Sequence, residues 1–185
     1  MNKHPNAAIA FWLVAGALSY LLLPWYAIQD TAWYAVLPQV FGGTETANGL
    51  LQSVQFGRSW LQVGVLGLLI AAVALFKPAS KAQGMWLMVG GLIGALGLSI
   101  SGFAIGSKGW SFAWLNTSFG ELAINQFGIG IGGFIALMSL VLLAAFGIAR
   151  RGYFKGDLFV AASVVGCGVL LLLFIAYPVT KALYG

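Results

Sequence analysis

The chain has 185 residues, of which 61% are hydrophobic and 7% charged, against roughly 45–50% apolar and about 25% charged in a soluble domain. With a mean hydropathy of +0.95 this excludes a water-soluble globular fold and predicts an all-α, polytopic transmembrane helix bundle in the lipid bilayer. The net charge of +5 is carried by 9 Lys and Arg against 4 Asp and Glu, and no nucleic-acid partner is expected. A single Cys (Cys167) and a single His (His4) exclude an internal disulfide, a Cys/His zinc site and a bis-His haem, each of which needs more such ligands. No cofactor, no metal and no catalytic residue is expected.

A helix that crosses the hydrocarbon core needs about 20 mostly apolar residues. Five stretches meet that test, 7–28, 59–76, 85–106, 127–149 and 158–179, and none contains Asp, Glu, Lys, Arg or His. The first follows Lys3 and His4 and runs into Pro24, Trp25 and Tyr26. It is too long for the apolar region of a signal peptide and lacks a small-residue cleavage pattern, so it reads as a retained span. An aromatic loop follows, with Trp33, Tyr34 and Phe41, in which Pro38 and Gly42-Gly43 predict a short interfacial helix and a turn. Residues 45–56 read as a second helix leading into span two, where Arg58 is placed to snorkel to the interface. Trp25, Tyr26, Trp60, Trp86 and Tyr177 sit near proposed span ends, the depth that amphipathic rings prefer.

The loop between spans three and four is also aromatic, with Trp110, Phe112, Trp114 and Phe119, and it carries the sequon Asn116-Thr117-Ser118. Glu121 reads as a helix-start acid ahead of span four. Between spans four and five lies a basic turn with Arg150, Arg151 and Lys155. It reads as a topological anchor touching anionic lipid, or more sharply as a docking surface for a cytoplasmic partner. With the N-terminus cytoplasmic, Lys3, Lys77, Lys81, Arg150, Arg151 and Lys155 fall inside and Arg58, Lys108 and Lys181 outside. The positive-inside rule therefore predicts that orientation, and an odd number of spans places the C-terminus outside.

Gly90 with Gly94, and Gly128 with Gly132, are four residues apart, the spacing that aligns two glycines on one helix face and lets another backbone approach. These pairs read as helix-packing seams within the chain, with a subunit interface as the alternative. Gly128, Gly130 and Gly133 match G-x-G-x-x-G, but a dinucleotide site needs a preceding strand and a solvent-facing helix N-terminus, and an apolar span provides neither. Cys167, mid-span, reads as an inert small hydrophobe. Spans without ionisable groups exclude a proton relay, ion coupling and voltage sensing. Asn125, Gln126, Ser99, Ser101, Ser139 and Ser163 remain as polar groups suited to interhelical hydrogen bonds.

The stretch 149–160 (ARRGYFKGDLFV), with a fifth span that ends FIAYPVTKAL at 174–183, resembles the entry into the membrane domain of ABC importer permeases. It looks most like the fused permeases of the iron(III), thiamine and polyamine type. The resemblance implies a four-span N-terminal extension over 1–157 and a first core helix within 158–185. It implies as partners a separate ABC ATPase subunit and an external solute-binding protein, with ferric iron one possible solute, in the bacterial inner (plasma) membrane. The family's Glu-Ala-Ala cytoplasmic loop, which docks on the ATPase, has no match in these residues, so no ATPase-contact or substrate residue is carried over, and the chain reads as an N-terminal fragment of a permease. The alternative is a stand-alone five-span scaffold or accessory subunit that uses its glycine seams to join a larger membrane complex.

Overall fold

A computed structural model describes residues 6–28, 30–43, 45–106, 109–122 and 126–184. Lys3, His4, Lys108 and Asn125 lie outside the described residues, as do the side chains of Gln126, Tyr177 and Lys181. The chain is mostly helical. Helix α1 (Ala7–Leu22) buries Ile9, Leu13, Gly16, Ser19 and Tyr20 along one stripe. It stops because Leu23 precedes Pro24 and is extended, at φ −115° and ψ 148°, the region a residue before proline favours. The short helix α2 (Gly49–Val54) is capped by Asn48, whose side chain accepts the Leu51 N–H at 2.9 Å.

Helix α3 (Gln62–Ala72) is extended by 3-10 turns at Ser59–Leu61 and Val73–Phe76. Helix α4 (Lys81–Ala104) starts at the Ser80 cap, whose hydroxyl accepts the Gln83 N–H, four residues before the start expected from apolar character. A short α5 (Ala113–Phe119) precedes α6 (Ile131–Arg150). Asp157 then caps α7 (Leu158–Leu171), accepting from the N–H groups of Phe159 at 2.8 Å and Val160 at 3.2 Å. The chain passes through a π-helical segment, Leu172–Ala176, into α8 (Tyr177–Tyr184).

Among the described residues, three helical stretches, Ser59–Phe76, Lys81–Ala104 and Ile131–Arg150, are long and apolar enough to cross a membrane, whereas Ala7–Leu22 and Leu158–Leu171 are apolar but shorter. The shortfall from five has local causes. Pro24 cuts the first apolar stretch at Leu22, and the π-helical turn interrupts α-helical geometry after Leu171.

Helix direction follows from what meets at each end. Gln83, wholly buried, donates from Nε2 to Asn6 Oδ1 at 3.0 Å, the Ala74 carbonyl at 2.8 Å and the Lys77 carbonyl at 3.3 Å. The starts of α1 and α4 and the end of α3 are thereby tied together, and Gly84 rests against the Gly147 carbonyl near the end of α6. At the opposite end the Tyr20 hydroxyl donates to the Leu61 carbonyl at 3.0 Å, and the Gly132 N–H donates to the Pro24 carbonyl at 3.1 Å. Helices α1, α3, α4 and α6 therefore alternate in direction. Helix α7 sets out from the end where α6 finishes, with Ala161 packed on Ala145 and Ala149. Lys77, Lys81, Arg150, Arg151 and Lys155 gather at one end, the basic end, and Arg58 lies at the other, the aromatic end.

Among the described residues, four two-residue strands lie at the aromatic end. Strand β1 (Ala27–Ile28) pairs antiparallel with β4 (Gln126–Phe127), and β2 (Ile105–Gly106) pairs with β3 (Gly109–Trp110). Because 126–127 is recruited as a strand, α6 starts at Ile131 and not at 127.

Candidate functional site

The glycines set how closely the helices approach. A Cβ added at Gly90 would lie 2.5 Å from the Ala71 amide nitrogen and from the Gly67 carbonyl oxygen, so α3 and α4 meet backbone to backbone. Gly94 lies where α3 and α6 converge on α4, its Cβ position 3.3 Å from Gly67 Cα and 2.7 Å from a Leu140 methyl. On the other face of α4, Gly91 abuts the Ala144 amide and the Leu140 carbonyl of α6. Gly128 precedes α6 and presses on the Gly102 carbonyl of α4, whereas Gly132 meets the Pro24 carbonyl at the end of α1. These two glycines thus serve two different junctions and share no helix face.

Three helical serines bond locally. Ser19, Ser101 and Ser139 donate to the carbonyls of Gly16, Leu98 and Ile135 in their own helices, at 2.7, 3.0 and 2.8 Å. The interhelical role expected of Ser101 and Ser139 is not found, because the carbonyl three or four residues back is within reach of a helical serine. Ser163 is exposed on α7 and the Ser99 hydroxyl is buried without a partner. Among the described residues, Gln83 and Tyr20 supply polar ties between helices that sequence reasoning missed. Gln83 lies in the first turn of α4, just outside the expected span 85–106, and its one signal was an amide flanked by the Ser80 cap and Gly84.

The aromatic end is a packed cap. Trp25 and Tyr26 are each 2% exposed, so they are core residues and not the interfacial anchors expected. The Trp25 ring sits 4.3 Å from that of Tyr20, and the Arg58 guanidinium lies 4.5 Å above the Tyr26 ring. Arg58 therefore spends its charge on a cation–π contact at the rim of the cap. Trp60, Trp110 and Phe119 form a second cluster with centroids 4.9 to 5.7 Å apart. Beside the cap an apolar groove of about 510 Å³ runs between β1, the 31–36 segment and the start of α6, bordered by Tyr26, Ile28, Trp33, Val36, Ile129 and Phe134. A smaller cavity of about 270 Å³ is bordered by Trp110, Phe112, Asn116 and Glu121. Glu121 is exposed and lies ten residues before α6, so it is not the helix-start acid expected.

At the basic end the α6–α7 turn is strained. Gly152 and Gly156 take φ of 89° and 76°, and between them Phe154 and Lys155 also lie in the left-handed region at 53° and 56°, a conformation costly for a residue with a Cβ. The Tyr153 and Phe154 rings are 54% and 42% exposed, and the Arg151 guanidinium lies 6.0 Å from the Tyr153 centroid. Cys167 is exposed on α7. Among the described residues no group of three or more His, Cys, Asp or Glu could hold a metal ion. No family model matches this chain, and no curated protein or solved structure is found to be similar to it.

Proposed function

We propose that the chain is a membrane component of an ABC-type solute importer. In this reading α1 to α6 form an extension that anchors and packs beside the permease core, and α7 with α8 forms the first core helix. The observation that carries the reading is the one-sided packing of α7. Only Ala161, Val165 and Val169 of that helix are buried. Phe159 is 81% exposed and Phe174, in the π-helical segment, 70%, while Gly166 and Gly168 have nothing within 4 Å of an added Cβ. Such a face fits a helix with further helices to pack on. The α1–α6 unit, by contrast, is closed by backbone contacts and holds no ionisable group at mid-depth, which suits an anchor and not a pathway.

Five crossings with the N-terminus cytoplasmic complete the proposal. Helix α1 covers about 24 Å at 1.5 Å per residue, short of the roughly 30 Å core. Trp25 and Tyr26 remain buried beyond it, so extended chain at about 3.3 Å per residue makes up the remaining depth. Helices α7 and α8 run on through the π-helical segment over 158–184. ATP would be hydrolysed by a separate subunit, and the solute, ferric iron being the candidate the resemblance suggests, would arrive on an external binding protein. The membrane would be a bacterial inner membrane.

The test is isolation of the protein from its own membranes in mild detergent, followed by identification of its companions. An ATPase recovered in stoichiometric amount is the expected result, and its absence overturns the reading. The outward face of α7 also favours one alternative, an accessory subunit docked on another helical membrane complex. That alternative takes the lead if helical partners are recovered with no ATPase among them.

A further inference from the structure

We propose that the basic end holds the phosphate headgroup of an anionic phospholipid between Lys81 on α4 and Arg151 and Lys155 on the α6–α7 turn. The fold brings the turn before α4 and the α6–α7 turn to the same end of the bundle, where the first turn of α4 meets the end of α6. A Cβ at Gly84, one turn into α4 from Lys81, would lie 3.0 Å from Arg151 Cγ and 3.1 Å from Arg150 Cβ. The first turn of α4 and the last of α6 are therefore in contact. Lys77, Lys81 and Lys155 are exposed and Arg151 is half-buried.

Charge at this end is nearly one-signed. Its one acid is Asp157, whose carboxylate is committed to the N–H groups of Phe159 and Val160. Asp30, Glu45 and Glu121 belong to the loops of the aromatic end. The exposed Tyr153 and Phe154 rings flank the cations, the combination of apolar ring and basic side chain that suits the headgroup level of a bilayer. The left-handed backbone at Phe154 and Lys155 gives the turn a defined shape at a conformational cost, as expected where side chains must be presented in one direction. An acidic protein is the weaker fit. The patch comprises two short turns, whereas a stable protein interface takes roughly 800 Å² per partner and a headgroup needs only a few cations.

The proposal does not depend on the importer reading and is tested on the full chain. The protein is purified in neutral detergent, moved into nanodiscs of mixed phosphatidylglycerol and phosphatidylcholine, and the lipids it retains are counted by native mass spectrometry. Each cation near an anionic headgroup is worth about fivefold. The wild type should retain phosphatidylglycerol over phosphatidylcholine by at least about tenfold, Lys81→Gln should reduce that preference about fivefold, and the triple variant Lys81→Gln, Arg151→Gln, Lys155→Gln should reduce it at least about tenfold. Melting of the triple variant in neutral detergent should match the wild type. Should it fail to fold, salt titration of the wild type decides, since a headgroup contact at the surface weakens once the Debye length falls to about 3 Å at 1 M. A preference that the triple substitution or high salt leaves unchanged, or equal retention of both lipids by the wild type, overturns the proposal. Equal retention together with capture of an acidic cytoplasmic protein at this end would assign the patch to protein docking.

Discussion

Gly90→Ala tests whether the α3–α4 seam holds the bundle together. The added methyl would sit 2.5 Å from the Ala71 nitrogen and the Gly67 oxygen, and 3.0 Å from Ala71 Cα, all backbone atoms that no rotamer change can move. An ordinary contact begins near 3.4 Å, so the two helices must separate locally by about 0.9 Å, loosening the Gly67 and Gly94 contacts beside it. Overpacking of this kind costs about 1–3 kcal/mol, and alanine returns about 1 kcal/mol of helix propensity. Because the clash is with backbone that cannot give way, the upper part of that range, about 2–3 kcal/mol, applies. The net expectation is a loss of about 1–2 kcal/mol, or roughly 2–8 °C in melting temperature for a chain of this size. Gly168→Ala on α7 is the matched control. Nothing lies within 4 Å of its Cβ position, so only the propensity gain operates, and Tm should rise by up to about 4 °C. Both are read by tryptophan fluorescence on heating in mild detergent, with mass measured in parallel. A Gly90→Ala protein that melts like the wild type refutes the seam as an intrachain contact, and unchanged melting with an altered oligomer mass assigns it to a subunit interface.

Other predictions follow from the two ends. Gln83→Leu removes three hydrogen bonds that join α1, α3 and α4, and should cost about 2–3 kcal/mol by the rule for buried polar groups left unpaired; urea unfolding in detergent measures it, and a loss below about 0.5 kcal/mol would show that the amide is dispensable. In a Cys167→Ala background, Lys77→Cys and Ala32→Cys should react with a membrane-impermeant maleimide from opposite sides of sealed vesicles, Lys77→Cys from the cytoplasmic face. Labelling of both from one side would contradict the alternating helix directions.

The membrane character and the central helices were legible because they depend on composition and length. A run of about 20 apolar residues without charge leaves a helix few alternatives, and 59–76 is helical over its whole length. Termini were harder, since they turn on single residues: the Ser80 cap moved the start of α4 to Lys81, and pairing of Gln126–Phe127 with β1 delayed α6 to Ile131. Trp25 and Tyr26 misled because an aromatic pair after an apolar run has the same sequence appearance whether it faces headgroups or folds beneath a cap. The groove by Tyr26 and Phe134 and the contact of Gly84 with Arg150 and Arg151 were not legible, as each joins residues far apart in the chain. Gly128 and Gly132 show the limit of spacing rules. Four-residue spacing aligns glycines only inside a helix, and Gly128 lies before one.

At Trp25 and Tyr26 the chain has left helical geometry while remaining buried, and in the proposed five-span arrangement a membrane would tolerate this only where backbone groups find partners inside the protein. The aromatic end supplies them. The Trp25 N–H donates to the Ala47 carbonyl at 3.2 Å and its carbonyl accepts the Gly130 N–H at 2.8 Å, while the Asn48 N–H donates to the Val40 carbonyl at 3.0 Å and the Gly132 N–H to the Pro24 carbonyl at 3.1 Å. Gly130 permits the approach, because a Cβ there would lie 2.5 Å from the Tyr26 carbonyl carbon. The segments after α1, before α2 and before α6 thus support one another, and none is stable in apolar surroundings without the other two. Amide hydrogen exchange in nanodiscs should therefore show Trp25, Asn48, Gly130 and Gly132 protected together with the central helices, while Tyr34 and Glu45 exchange freely. Gly130→Val should release all four, since separating the Tyr26 backbone from the start of α6 breaks the shared network and leaves each orphaned group to cost about 1–3 kcal/mol. Loss of protection at Gly130 alone would mean that the segments are held independently, and the extended chain beyond Pro24 could then no longer be counted as a continuation of α1 through the bilayer.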